Sequence, residues 1–199
     1  MAGDWNEPLG QGYFQRNKWI FGHNLVYQFV SNLANQGHVG GTTLIGRGGQ
    51  RTDIIIYTQA NARFTVLVDI KRPDSTLLER KEYRNKVYPL GEDLTGGASQ
   101  LQSYCRTWAI EGSRQEENAA ELQESSIFNY EPRSILVIGN LAELDNQNKR
   151  ATFELYRRNL HNPEIITYDE LLERVRFTVH VGNLEGRPGI LTAIPRLRR

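Results

Sequence analysis

Cysteine is almost absent: Cys105 is the only one in 199 residues. That excludes an internal disulfide and any multi-cysteine zinc centre, and it suits a reducing compartment. The four histidines, His23, His38, His161 and His180, are scattered without metal-ligand spacing. Long apolar runs are missing too, since none approaches the roughly 20 residues of a membrane span. The N-terminal MAGDWNEPLG has neither the basic region nor the apolar core of a secretory signal, so a cytoplasmic protein is expected. Excess charge of either sign is lacking, with a formal net charge of +1. Nucleic-acid contact therefore requires a local patch. The glycine-rich NQGHVGGTTLIGRGGQRT is not followed by Gly-Lys-Ser/Thr, so it is no phosphate loop and implies no nucleotide cofactor. No internal repeat is visible.

What remains is an ordinary globular balance, 39% hydrophobic and 24% charged, in a length that favours one domain. Residues 1–16 are expected to be a flexible or partial N-terminal segment, with at most a frayed helix before Trp19. Residues 17–199 form the domain, and its tail from about 182 is expected to be disordered or to add a strand. NKWIFGHNLVYQFVSNLA fits either a strand or a helix. A short TTLI strand is expected inside the glycine-rich stretch. Residues 74–97 read as irregular and charged. Residues 98–112 read as a helix, with Ala98, Leu101, Cys105 and Trp108 on one apolar stripe. Residues 113–132 read as a solvated helix or insertion, RSILVIGN as a buried strand and 146–161 as a helix. EIITY reads as a short strand. Thr167-Tyr-Asp-Glu170 is a capping-box pattern opening a helix from Tyr168 to Val175, followed by one strand-like run. The class is α/β, a mixed central sheet flanked by helices.

Two stretches carry the chemistry. RTDIIIY places four apolar or aromatic residues after Asp53, as in a strand buried on both faces. FTVLVDIKRP alternates: Phe64, Val66, Val68 and Ile70 face one way, and Thr65, Leu67, Asp69 and Lys71 the other. A carboxylate and an ammonium thus share a face near the end of a largely buried strand, and Asp53 can lie beside them. Burying two like charges calls for a cation between them. Asp53, Asp69 and the Ile70 carbonyl are hard oxygen donors suited to Mg²⁺, with Mn²⁺ expected to substitute. Lys71 would then serve water or phosphate beside the metal. Gln100 and Tyr104 sit four apart on the next helix. Arg72, Arg80, Lys81, Arg84 and Lys86 lie just beyond, either a solvated face or contacts to DNA phosphates.

Asp53, a gap, then Asp69-x-Lys71 resembles the PD-(D/E)xK nuclease pattern, with Thr52 in the proline position. Gln100-x-x-x-Tyr104 is similar to the element beside the site in nuclease domains of type I restriction motor subunits. There the glutamine reaches DNA or water at the metal. From about residue 17 to 176, the order NKWIFG, TDIIIY, VDIKRPDSTLL, EYRNKVYPLGEDLTGGASQLQSY, RSILVIGN, FELYRRNL and EIITYDELLERV resembles the nuclease domain of Shedu anti-phage defence proteins. That resemblance implies a restriction-endonuclease-like fold and a Mg²⁺-dependent endonuclease on double-stranded DNA. It further implies a homo-oligomer, dimer or tetramer, acting in bacterial cytoplasm. The catalytic set would be Asp53, Asp69, Lys71 and Gln100, supported by Tyr104. Related nucleases often add an upstream glutamate, for which Glu7 is the best-placed residue. The space before Trp19 is small for the extra N-terminal domain that many members carry. The alternatives are a non-cleaving sensor of DNA ends or a phage component, and a repair or junction-resolving nuclease.

Overall fold

The structure, a computed structural model, describes residues 30–35, 38–40, 49–58 and 63–184, together with Gly12. The helix expected before Trp19, Glu7, the TTLI strand and the tail beyond residue 184 lie outside the described residues.

The centre is a hairpin whose strands are apolar on both faces. Strand β4 (Ile54–Thr58) pairs antiparallel with β5 (Arg63–Ile70), Ile54 opposite Val68 and Ile56 opposite Val66. Around it stands a five-stranded sheet in the order β1-β4-β5-β6-β7. β1 (Val30–Asn35) is antiparallel to β4, so the end of the ambiguous aromatic stretch is a strand. β6 (Ile127–Val137) is parallel to β5, and β7 (Glu164–Ile166) is parallel to β6. A small ribbon, β2 (His38–Gly40) with β3 (Gln50–Arg51), stands apart. The parallel pairings require crossovers, and helices supply them. α1 (Glu92–Ile110) and the short α2 (Glu116–Glu124) connect β5 to β6. α3 (Gln147–Asn159) connects β6 to β7, and α4 (Tyr168–Leu184) follows.

The alternation along β5 splits the interior into two cores. Val66, Val68 and Ile70 join Ile54, Ile56, Ile135, Val137 and the α4 residues Leu171 and Val175. Leu67 joins Ile55, Leu136, the α1 stripe and Phe153 of α3 on the opposite side. Ala98, Leu101, Cys105 and Trp108 are all buried there, as the helical spacing predicts. Burial pushes the Cys105 thiol up, beyond what hydrogen bonds from Ser134 and Asn162 recover, which makes it a core residue.

Three boundaries depart from the sequence reading. α1 begins at Glu92, so residues 92–97 are helical although Gly96 and Gly97 disfavour helix locally; the space at 97 is tight, beside Leu136 and Lys71. β6 begins at Ile127 and carries Pro132 through a break in register. β6 advances from Phe128 to Arg133 while β5 advances from Phe64 to Val66, which excuses the proline from the ladder. Finally, α4 continues past Val175 to Leu184, so residues 176–184 are helical. No helix among the described residues is long and apolar enough to cross a membrane.

The capping box forms. Glu170 Oε2 accepts from the Thr167 backbone N at 3.1 Å and from its hydroxyl at 3.0 Å. The same carboxylate is clamped by the Arg157 guanidinium, with both bonds at 2.7 Å, which ties α3 to the start of α4. Burial alone would raise the Glu170 carboxyl, but the bonds from Arg157 and Thr167 outweigh it and hold the group below its ordinary value of 4.5. A depressed carboxyl stabilises the fold fully above the unfolded value and loses that contribution as pH falls through the folded one. Glu170→Gln is therefore expected to cost about 1–2 kcal/mol at neutral pH. In urea unfolding across pH, its deficit relative to wild type should close as the pH drops below the normal glutamate range. A deficit that persists in acid would show that the charge is not its source.

Candidate active site

Antiparallel register sets Asp53 level with Asp69, because Ile54 pairs with Val68 one step further in. Asp53 occupies the bend that leads into β4 and is half-buried. Its Oδ2 accepts from the Ile70 backbone N at 2.7 Å, fastening one carboxylate across the hairpin to the residue after the other. Thr52 is buried and donates its hydroxyl to the Val68 carbonyl at 2.8 Å, which fixes the chain entering Asp53.

Asp69 is 6% exposed. It shares the α1-facing side of β5 with Leu67, and Lys71 follows on the same side. Lys71 Nζ lies 2.9 Å from Asp69 Oδ2 and donates to Gln100 Oε1 at 3.0 Å. The Asp69 contact is an ion pair by distance but lacks hydrogen-bond angles, and Oδ2 is buried with no other donor among the described residues. Distance governs a Coulombic attraction, so the pair is real, while the oxygen's lone pairs are left to accept more. Gln100 Nε2 in turn donates to the Tyr104 hydroxyl, which orients the amide.

Helix α1 can come this close because residue 97 has no side chain. A Cβ there would stand 3.1 Å from Leu136 and 3.4 Å from Lys71 Cε. The other face is held by Tyr168, whose hydroxyl donates to the Lys71 carbonyl at 2.6 Å, and by Lys71 N, which donates to the Val137 carbonyl at 2.8 Å. The Ile70 side chain is fully buried in the opposite core, so only its backbone faces the carboxylates. Thr52, Gly97 and Tyr168 were not singled out from the sequence. Thr52 stands where the family pattern has proline, Gly97 lies in a stretch that reads as irregular and charged, and Tyr168 reads only as the start of a helix.

The structure thus brings together Asp53, Asp69, Lys71, Gln100 and Tyr104. Among the described residues no third acidic, histidine or cysteine side chain joins the two carboxylates in a metal-binding group. The two carboxylates and the backbone oxygen are hard donors, and the under-bonded Asp69 Oδ2 has capacity for a cation, so the set fits Mg²⁺. The basic candidates divide. Arg72 is paired with Asp74 at 2.8 and 2.6 Å. Arg80, Lys81, Arg84 and Lys86 are exposed on an excursion between β5 and α1. Tyr83 N bonds the Val87 carbonyl at 2.8 Å, and Asn85 and Lys86 both take positive φ, as a tight hairpin turn requires. The excursion is anchored at its base by Glu143, which accepts from Leu77 N at 2.8 Å and Leu78 N at 3.1 Å.

Removing the Lys71 charge leaves a buried carboxylate without its counter-ion. Lys71→Met is expected to destabilise the fold by about 1–3 kcal/mol. Adding Asp69→Asn should recover most of that loss. A double-mutant cycle from urea unfolding measures the coupling. Additive losses would mean that the two groups do not interact.

Comparison with known proteins points the same way as the resemblance in sequence. Residues 6–172 match the family described as Shedu protein SduA, C-terminal. A curated relative, the Shedu protein SduA of Bacillus cereus (strain B4264), is 31% identical over 186 residues, covering 91% of this chain and 47% of that protein. The chain therefore spans about half the length of that relative. On the match of most of its length to the family, the chain belongs to the Shedu SduA C-terminal family.

Proposed function

We propose that this chain is a metal-dependent DNA endonuclease domain that hydrolyses phosphodiester bonds of double-stranded DNA in bacterial defence against phage. The observation that carries the reading is the buried Asp69 carboxylate, level with Asp53 across the hairpin and paired with a lysine held by Gln100. Two nearby carboxylates and a poised ammonium suit phosphate chemistry better than a purely structural strand end.

Asp53, Asp69 and the Ile70 carbonyl would hold Mg²⁺. When bound, the cation would polarise a phosphoryl oxygen and acidify water. The chain's own groups do the rest. Lys71 presents its ammonium to the phosphoryl oxygens, where negative charge builds, and Gln100 fixes its direction. Once Lys71 turns to the phosphate, the Gln100 carbonyl oxygen becomes a free acceptor for the attacking water. Tyr104 holds the amide so that the oxygen faces inward. The strand ends on both sides are tied by backbone bonds, so the site needs little reorganisation on binding. Family membership also supports a homo-oligomer in the cytoplasm.

Asp69→Ala and Lys71→Ala should each lower Mg²⁺- or Mn²⁺-dependent cleavage of linear and closed-circular DNA by at least about 10²-fold. Both variants should unfold cooperatively. Calorimetry with Mn²⁺ should show binding to wild type that is lost in Asp69→Ala. Full cleavage by both variants would overturn the assignment. DNA binding without metal binding would point to a sensor instead.

The exposed hairpin is proposed to contact DNA backbone. Replacing Arg80, Lys81, Arg84 and Lys86 with glutamine should weaken DNA binding uniformly across sequences. The dependence of log affinity on log salt should flatten by about one unit for each phosphate contact removed. An unchanged salt slope would assign the hairpin to solvent.

A further inference from the structure

A second concave site lies away from the carboxylates. It is a groove of about 770 Å³ between the C-terminal half of α1 and the first half of β6. That volume is in the range of roughly 300–1,000 Å³ typical of small-molecule sites. Phe128 of β6 pairs with Phe64 at the start of β5, whereas Asp69 is at its end, so the two sites sit toward opposite ends of that strand.

The break in β6 register makes the groove. Residues 129–132 leave the ladder and form one wall. Asn162 fixes that wall: its Oδ1 accepts from Ser134 N at 2.8 Å and from the Ser134 hydroxyl at 3.0 Å, and its Nδ2 donates to the Pro132 carbonyl at 3.2 Å. Three guanidiniums line the opening: Arg106 and Arg114 on the helix side and Arg133 on the strand side. Arg133 donates to the His161 carbonyl at 3.4 Å, which leaves most of its donors available. The guanidiniums of Arg106 and Arg114 have no hydrogen-bond or ionic partner among the described residues. Glu131 is the one acidic lining residue, so the groove is net positive.

Beside the charges stands an aromatic platform. Tyr130 is 84% exposed and lines the groove, and Phe128 stacks on it at 6.3 Å between centroids with planes 26° apart. Ile110 and Pro132 add apolar lining. An exposed ring beside guanidiniums with free donors suits a planar base joined to a phosphate.

We propose that this groove is a nucleotide-binding site, in which Arg106, Arg114 and Arg133 hold a phosphate and Tyr130 stacks the base. The nucleotide is either free or one unit of a single strand, and the recognition chemistry is the same. This site is independent of the cleavage reading, because none of its residues belongs to the carboxylate site.

Calorimetry in EDTA tests it, with strand cleavage suppressed. The probes are a 5′-deoxymononucleotide, the matching nucleoside, inorganic phosphate and a short oligothymidylate. The mononucleotide should bind more tightly than either the nucleoside or phosphate. Arg106→Ala with Arg114→Ala should reduce its affinity about tenfold or more. Tyr130→Ala should reduce it about tenfold and leave phosphate binding unchanged. These side chains are exposed, and unchanged thermal unfolding confirms that the variants fold. Tighter oligothymidylate binding, with the same losses, identifies a strand as the source; equal binding identifies a free nucleotide. The proposal is overturned if neither nucleotide probe binds, if the variants bind like wild type, or if phosphate alone matches the mononucleotide.

Discussion

The Asp69–Lys71 ion pair is the constraint around which the site is arranged. Asp69 lies on a strand whose preceding residues are sealed into two cores, and a carboxylate at 6% exposure is costly to bury without a cation. Lys71 supplies that charge from the first position beyond the strand, where a quarter of its side chain remains exposed. The ammonium is then steadied by Gln100, and Gln100 by Tyr104, so the polarity of one buried oxygen is answered by a chain of groups running up α1. Such an arrangement stores charge where water is scarce, which is where electrostatic interactions are strongest.

Packing makes this arrangement possible. Leu136 and Lys71 Cε fill the space beside Gly97, so a Cβ there would be tight and the neighbouring side chains would have to give by a few tenths of an ångström. The second layer, α4, reaches the same point from below through the Tyr168 hydroxyl on the Lys71 carbonyl. The position of Tyr168 depends on the start of α4, which depends on the Glu170 capping contacts and the Arg157 clamp. The last motif of the chain is thereby connected mechanically to the chemistry, though it contributes no side chain that touches the carboxylates.

The two concave regions on α1 use the helix differently. Its middle presents Gln100, held by Tyr104, to the buried charges. Its C-terminal end presents Arg106 with Ile110 to an open groove shaped by the β6 bulge. The helix therefore borders two differently built regions, one of carboxylates and a lysine, the other of guanidiniums and a ring.

Much of this was written in local pattern. Period-two alternation along residues 64–71 determined which side chains share a face, because successive strand residues point oppositely whatever surrounds them. The spacing of Gln100 and Tyr104 determined their contact for the same reason on a helix. The pattern Thr-x-x-Glu at 167–170 determined a helix start. Tertiary structure alone decided the rest. It set the level pairing of Asp53 with Asp69, since register is a property of two strands. It made residues 92–97 helical despite two glycines, with Leu94, Gly97 and Ala98 buried on the sheet side. It started β6 early and let Pro132 stand outside the ladder. It also gathered Arg106, Arg114, Tyr130 and Arg133 around one groove, a juxtaposition of distant residues that no periodicity encodes.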